Sequence, residues 1–118
     1  MSYIDGFLAP ILKGIDAEAY RDFAAKAAPI FREHGATRVV EAWNDDVPHG
    51  QHTDFFRAVA AGEGESVVFS WIEWPDKATR DAGMQKVMAD PRMQPGDTPM
   101  PFDGKRLIYG GFRTILDD

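Results

Sequence analysis

Nine consecutive residues, Ser66-Val67-Val68-Phe69-Ser70-Trp71-Ile72-Glu73-Trp74, restrict this chain more than any other stretch. Their β-branched and aromatic side chains mark a strand. Val68 and Ile72 fall on one parity of it, and Val67, Phe69 and Trp71 on the other. Successive side chains of a strand point to opposite faces, so a sheet containing this segment must be covered on both. The stretch from Leu107 to Leu116 repeats the property. There Leu107, Tyr109 and Ile115 alternate with Ile108, Phe112 and Leu116.

The other elements follow from spacing and punctuation. Tyr3 to Leu12 reads as a strand ended by Lys13-Gly14. Asp16 is placed to cap a helix whose apolar stripe is Tyr20, Phe23, Ala24, Ala27, Ile30, Phe31 and His34, with Gly35 as its stop. Pro29 inside that stripe is expected to kink or disrupt the helix. Thr37 to Asn44 is a second strand, and Phe55 to Val59 reads equally as an extended piece or a helical turn. Pro75-Asp76 opens a second helix that Asp90-Pro91 ends. Pro91 to Gly104 is too rich in proline for a regular element. Strand, helix, strand, strand, helix, strand is the split βαβ order of a ferredoxin-like α+β sandwich, expected as one domain over residues 1–118. Its two helices cover one face of an antiparallel sheet. A second copy of the chain, related by a two-fold axis, is the expected cover for the other face, giving a homodimer.

Charge and composition narrow the function classes. Thirteen basic against nineteen acidic residues give −6, the wrong balance for tracking phosphates, so no nucleic acid is expected as a partner. No apolar run approaches the roughly 20 residues of a membrane span, so no membrane partner is expected either. The chain has no cysteine, hence no thiolate nucleophile or cysteine-held metal, and a cytoplasmic setting is expected.

Polar residues inside otherwise apolar strands are the candidates for chemistry: Asp5, Glu41, Ser70 and Arg106. A carboxylate in a desolvated pocket has a raised pKa and can act as a general base. Asp5 or Glu41 fills that role here, with Arg106 as partner for an anionic substrate or enolate. The competing reading is an Asp5–Arg106 or Glu41–Arg106 ion pair that fixes register. Tyr3, Trp43, Trp71, Trp74, Tyr109 and Phe112 supply either pocket wall or plain core and interface packing. Asp45, Asp46, His49, His52 and Asp54 carry metal-ligating groups, but on a Pro- and Gly-containing loop that gives them no common face, and no metal is expected. His34 fits a cation at a helix C-terminus. The Pro91–Gly104 segment, with Arg92, Asp97, Phe102 and Asp103, is either a lid over a pocket or an arm lying on a partner subunit.

Several stretches together carry a family resemblance. They are Tyr3-Ile4-Asp5-Gly6-Phe7, Glu33-His34-Gly35-Ala36, Asp45-Asp46-Val47-Pro48, Val67-Val68-Phe69-Ser70-Trp71, Met88-Ala89-Asp90-Pro91-Arg92, and Met100-Pro101-Phe102-Asp103-Gly104-Lys105-Arg106 leading into Tyr109-Gly110-Gly111-Phe112. Over nearly its whole length the chain resembles the YbaA-like family of uncharacterised bacterial proteins. The resemblance implies a ferredoxin-like fold of the dimeric α/β-barrel superfamily. Other branches of that superfamily include cofactor-free monooxygenases, haem degraders and small-molecule binders, and fold analogy does not choose among them. The haem-binding branches use a histidine on a helix facing the cavity, and the second helix here has none. No cofactor is therefore expected. The functional expectation is a small organic ligand, handled by proton-transfer or cofactor-free oxygen chemistry, or bound without turnover. Asp5, Glu41 and Arg106 are the catalytic candidates, and Tyr3, Ser70, Trp71, Phe102 and Tyr109 the ligand-binding ones.

Overall fold

The two longest strands, β1 (Tyr3–Ile11) and β3 (Ser66–Trp74), pair antiparallel at the centre of a four-stranded sheet. The computed structural model describes residues 1–94, 96 and 99–118. Strand β2 (Arg38–Trp43) flanks β3, and β4 (Ile108–Arg113) flanks β1, so the order is β2-β3-β1-β4 with every neighbour antiparallel. Helices α1 (Ala17–Glu33) and α3 (Lys77–Ala89) lie on one face of the sheet. This is the ferredoxin-like arrangement expected from the element order. Among the described residues no helix is long and apolar enough to cross a membrane.

Local chemistry sets the helix ends. The Asp16 carboxylate accepts from the Ala19 N–H at 2.8 Å, and Asp76 does the same for Thr79 at 2.7 Å. At the C-terminus of α1, Gly35 N–H donates to the Arg32 carbonyl and Ala36 N–H to the Phe31 carbonyl, a Schellman closure. Gly35 takes φ of +115°, a conformation that side chains rarely adopt. The helix runs through Pro29 without a break. Pro29 and Ala25, whose carbonyl loses its partner, both lie on the exposed side, where water can replace the missing hydrogen bond.

The core forms where the helices meet the inner face. Tyr20 and Ala24 of α1 pack on Ile11 and Val68, while Met84 of α3 joins Ile72 and Trp74. Ile11, Val68, Trp74 and Val87 are fully buried, each contributing about 1.5–3 kcal/mol or more through the area it removes from water. Gly83 makes this closeness possible: a Cβ there would collide with the His34 carbonyl and the Trp74 ring.

The outer face departs from expectation at one end. Residues Phe55–Ala58 form a short helix, α2, capped by Asp54, and the segment folds back over the sheet. Phe56, Val59 and Ala61 cover Leu8 and Val67. The chain therefore hides part of its own second face. The remainder stays open: Phe69, Ile108 and Phe112 are 48%, 47% and 64% exposed.

One polar knot sits inside the core. Asp5, only 3% exposed, accepts from Trp74 Nε1 at 2.9 Å, from Arg80 Nη2 at 2.8 Å, and from Arg80 Nε at 3.1 Å to each oxygen. The partner is thus Arg80 of α3, and Arg106 lies elsewhere. The guanidinium also stands 5.1 Å from the centre of the Tyr3 ring. Removing one member of a buried pair strands the other charge. Asp5→Ala is expected to lower unfolding free energy by about 3–5 kcal/mol, read from the midpoint of urea denaturation.

Candidate functional site

Between the inner face and α1 lies a cavity of about 170 Å³. Phe7, Ala9 and Ile72 form its floor, Ala24, Ala27 and Phe31 its roof, and Met93, Met100 and Phe102 close one end. Among the described residues, three side chains in its lining carry polar oxygen atoms, and they come from β2, β3 and α1: Glu41, Ser70 and Tyr20. Strand register brings the first two together, since Glu41 is directly across the ladder from Ser70. Tyr20 reaches down from the first turns of α1 and donates to Glu41 Oε1 at 2.8 Å.

Electrostatics at this group run in two directions. Glu41 is exposed as a residue on the edge strand, yet its carboxylate is turned against protein and loses water. Burial pushes its carboxyl above the ordinary value, while the polar contacts with Tyr20 and Ser70 pull it back. Burial, reinforced by the neighbouring Glu41, holds the Tyr20 phenol protonated far above its usual range. The arrangement is a carboxyl whose proton is easily gained, supported by a hydroxyl that does not ionise. Tyr20 and Glu41 also line a shallow groove outside, together with Glu18, Arg21 and Trp43. Their hydrogen bond is therefore the partition between cavity and groove.

The segment after α3 supplies the end wall. Its root is fastened to α1 by His34 Nε2 at 3.1 Å from Asp90 Oδ2, and by Arg92, which donates to both Asp90 and Glu33. Arg92, together with His34, holds the Asp90 carboxyl well below the usual range. Farther on, Leu12 N–H donates to the Pro101 carbonyl and Asp103 N–H to that of Pro10, so Phe102 is laid against Ile11 of its own subunit. Asp97 lies outside the described residues.

Comparison with known proteins agrees with this fold. The model of a protein family of unknown function, DUF1428, matches residues 2–104. The chain is also 57% identical to the uncharacterized protein YbaA of Escherichia coli K12 across all 118 residues, covering the whole of both, and equally to YbaA of Shigella flexneri. The chain belongs to this family. Among solved structures, a dimeric ferredoxin-like protein from an uncultured marine organism superimposes with a TM-score of 0.62 at 11% identity, over 99% of this chain and 98% of that one. DUF1428 membership thus goes with a ferredoxin-like fold.

The remaining sequence candidates are dispersed. Arg106 does not meet Asp5 or Glu41. It donates to Glu65 at 2.7 and 2.9 Å, to Asp103 at 2.8 Å and to the Ala60 carbonyl. Tyr3 stands beside Arg80, and Tyr109 stacks on Phe7 at 6.3 Å along the β4 edge. Trp71 points to the outer face, its indole N–H donating to Glu73 at 2.9 Å. Of the five ligand-binding candidates, Ser70 and Phe102 line the cavity. In the loop, Asp54 caps α2 and pairs with Arg57, and among the described residues no three metal-ligating groups gather. Tyr20 was legible only as a stripe residue. Its one signal is a hydroxyl on an apolar face, which needs a buried partner.

The Arg106 cluster has a pH signature. Hydrogen bonds from Arg106 lower the Glu65 carboxyl from 4.5 to about 2. A folded-state pKa below the unfolded one stabilises the fold above about pH 4.5, and that contribution fades as pH falls toward 2. Arg106→Met is expected to be less stable than the parent at pH 6, with the gap closing toward pH 2, as thermal melts across that range would show.

Proposed function

We propose that this chain works as a homodimer in which each subunit binds one small organic molecule in the cavity under α1, with Glu41 as the group that exchanges a proton with it. The observation that carries this reading is the cavity itself: an apolar chamber that, among the described residues, converges on one carboxyl, Glu41, which accepts from Tyr20 and lies across the ladder from Ser70. Ligand sites are commonly apolar hollows with a few convergent polar groups. Perturbed carboxyls cluster where proton transfer is needed. Of the three catalytic candidates, Asp5 and Arg106 are saturated by protein partners, which leaves Glu41 with acceptor capacity to spare. Of the Pro91–Gly104 segment, Met93, Met100 and Phe102 line the chamber of their own subunit, which supports the lid over the partner arm for those residues.

Dimerisation is supported by the open outer face and by the neighbouring fold, described as a dimeric ferredoxin-like protein. Phe55, Phe69 and Trp71 form a row of ring contacts there, at 6.1 and 5.8 Å, around a hollow of about 760 Å³ with Ile108 and Phe112 on its rim. Exposed apolar surface of this kind marks an interaction site. A purely binding role without turnover uses the same chamber, and conversion of a bound molecule separates the two.

Two measurements test the reading. Carbon-detected NMR should find the Glu41 carboxyl titrating above 4.5, and Tyr20→Phe should move it higher still, because the lost hydrogen bond favours the charged form. A normal Glu41 titration would remove the proton-exchange role. Phe69→Asp should weaken self-association by about 30-fold or more, as for a residue worth about 2 kcal/mol at an interface. Light scattering on gel-filtered protein would record it, and a parent chain that is monomeric at tens of micromolar would overturn the dimer.

A further inference from the structure

The cavity's size and charge together specify a ligand class, an inference that rests on the reading of Glu41 and its chamber as a binding site. About 170 Å³ is little more than the roughly 150 Å³ of an apolar cavity known to hold benzene. The chamber therefore has room for one ring. Phe7, Phe23, Phe31 and Phe102 surround that space with ring carbon, and Met93 and Met100 add soft, adaptable sulfur. Phe23 and Phe102 meet edge to face at 6.0 Å, which closes the roof against the end wall.

Charge is the sharper constraint. Among the described residues lining the cavity, none is Lys, Arg or His. Arg21 lies in the groove on the far side of the Tyr20–Glu41 contact, 3.6 Å from Asp22, while Arg80 is paired with Asp5 and Arg106 with Glu65 and Asp103. An anionic ligand would be stripped of water, meet no counter-charge, and face Glu41. An ammonium would find one carboxyl, but both ions would have to be desolvated in a chamber whose remaining walls are hydrocarbon, and burial already disfavours the charge on Glu41. An uncharged donor avoids both costs. Glu41 accepts one hydrogen bond from Tyr20 and, like any carboxylate, has lone pairs for another.

We propose that the pocket selects uncharged single-ring molecules carrying one hydroxyl, which they donate to Glu41, and that it rejects acids and amines of the same size. Ser70, directly across the ladder, is placed to accept or donate to the same hydroxyl. The selection works by the absence of any cation in the lining as much as by the presence of the carboxyl.

The test uses the whole 118-residue chain at pH 7 and three single-ring probes that differ by at most two non-hydrogen atoms: phenol, benzoate and benzylamine. Binding is followed by chemical-shift changes of Ile72 and Ala24, which line the chamber. Phenol is expected to bind at least tenfold more tightly than either charged probe. Glu41→Gln, which removes the negative charge and keeps an acceptor, should narrow the gap between phenol and benzoate severalfold. Benzoate or benzylamine binding as well as phenol would overturn the ligand class and leave the pocket standing. So would an unchanged phenol-to-benzoate ratio in Glu41→Gln. Shifts from none of the three probes would overturn the pocket reading along with it.

Discussion

A carboxylate can stay in the middle of a sheet's buried face only if every lone pair it turns inward finds a donor. Asp5 meets that condition through Trp74 on the adjacent strand and Arg80 on the helix that follows it. The three groups join β1, β3 and α3 at one point, so the angle at which α3 lies on the sheet is set by hydrogen-bond geometry as well as by apolar contact. Such a knot is not a large source of net stability, because two charges had to leave water to make it. What it provides is intolerance of alternatives: a slip of one residue between β1 and β3 would send Asp5 to the other face. Gly111 on β4 follows from the same knot, since a side chain there would run into Tyr3 and the Arg80 guanidinium.

With register fixed, the faces of the sheet take different work. The inner face carries the α1 and α3 packing and leaves a gap beside Glu41 and Ser70, where α1 presents Ala24, Ala27 and Ala28. Three alanines along one helix side give a smaller roof than the floor beneath requires, and the difference in volume is the chamber. The outer face leaves its apolar rings exposed, and α2 trims that open surface at one end.

Much of this architecture was legible in the sequence because its causes are local. Period-two and period-3.6 patterns, the caps at Asp16 and Asp76, and the Gly35 stop each depend on a few neighbouring residues. The site was legible in part. Glu41, Ser70 and Phe102 stood out as polar or bulky residues in unusual company, but their meeting depends on cross-strand register and on the path of the segment after α3. The partner of Asp5 was not legible. Arg80 lies 75 residues away, and only the rotation of α3 about its axis decides that it, and not Arg106, faces the carboxylate. Arg106 instead sits in a corner between Glu65 and Asp103, a position set by the turn before β4. Four residues at Phe55–Ala58 are too few for any periodicity to separate helix from strand.

The partition formed by Tyr20 and Glu41 has a kinetic consequence. A molecule passing between chamber and groove has to break one hydrogen bond and turn one or two side chains, while the strands stay paired. Side-chain rotation is far faster than strand separation. Traffic through this door would then be governed by the swing of a tyrosine, and the chamber would fill and empty without loosening the sheet.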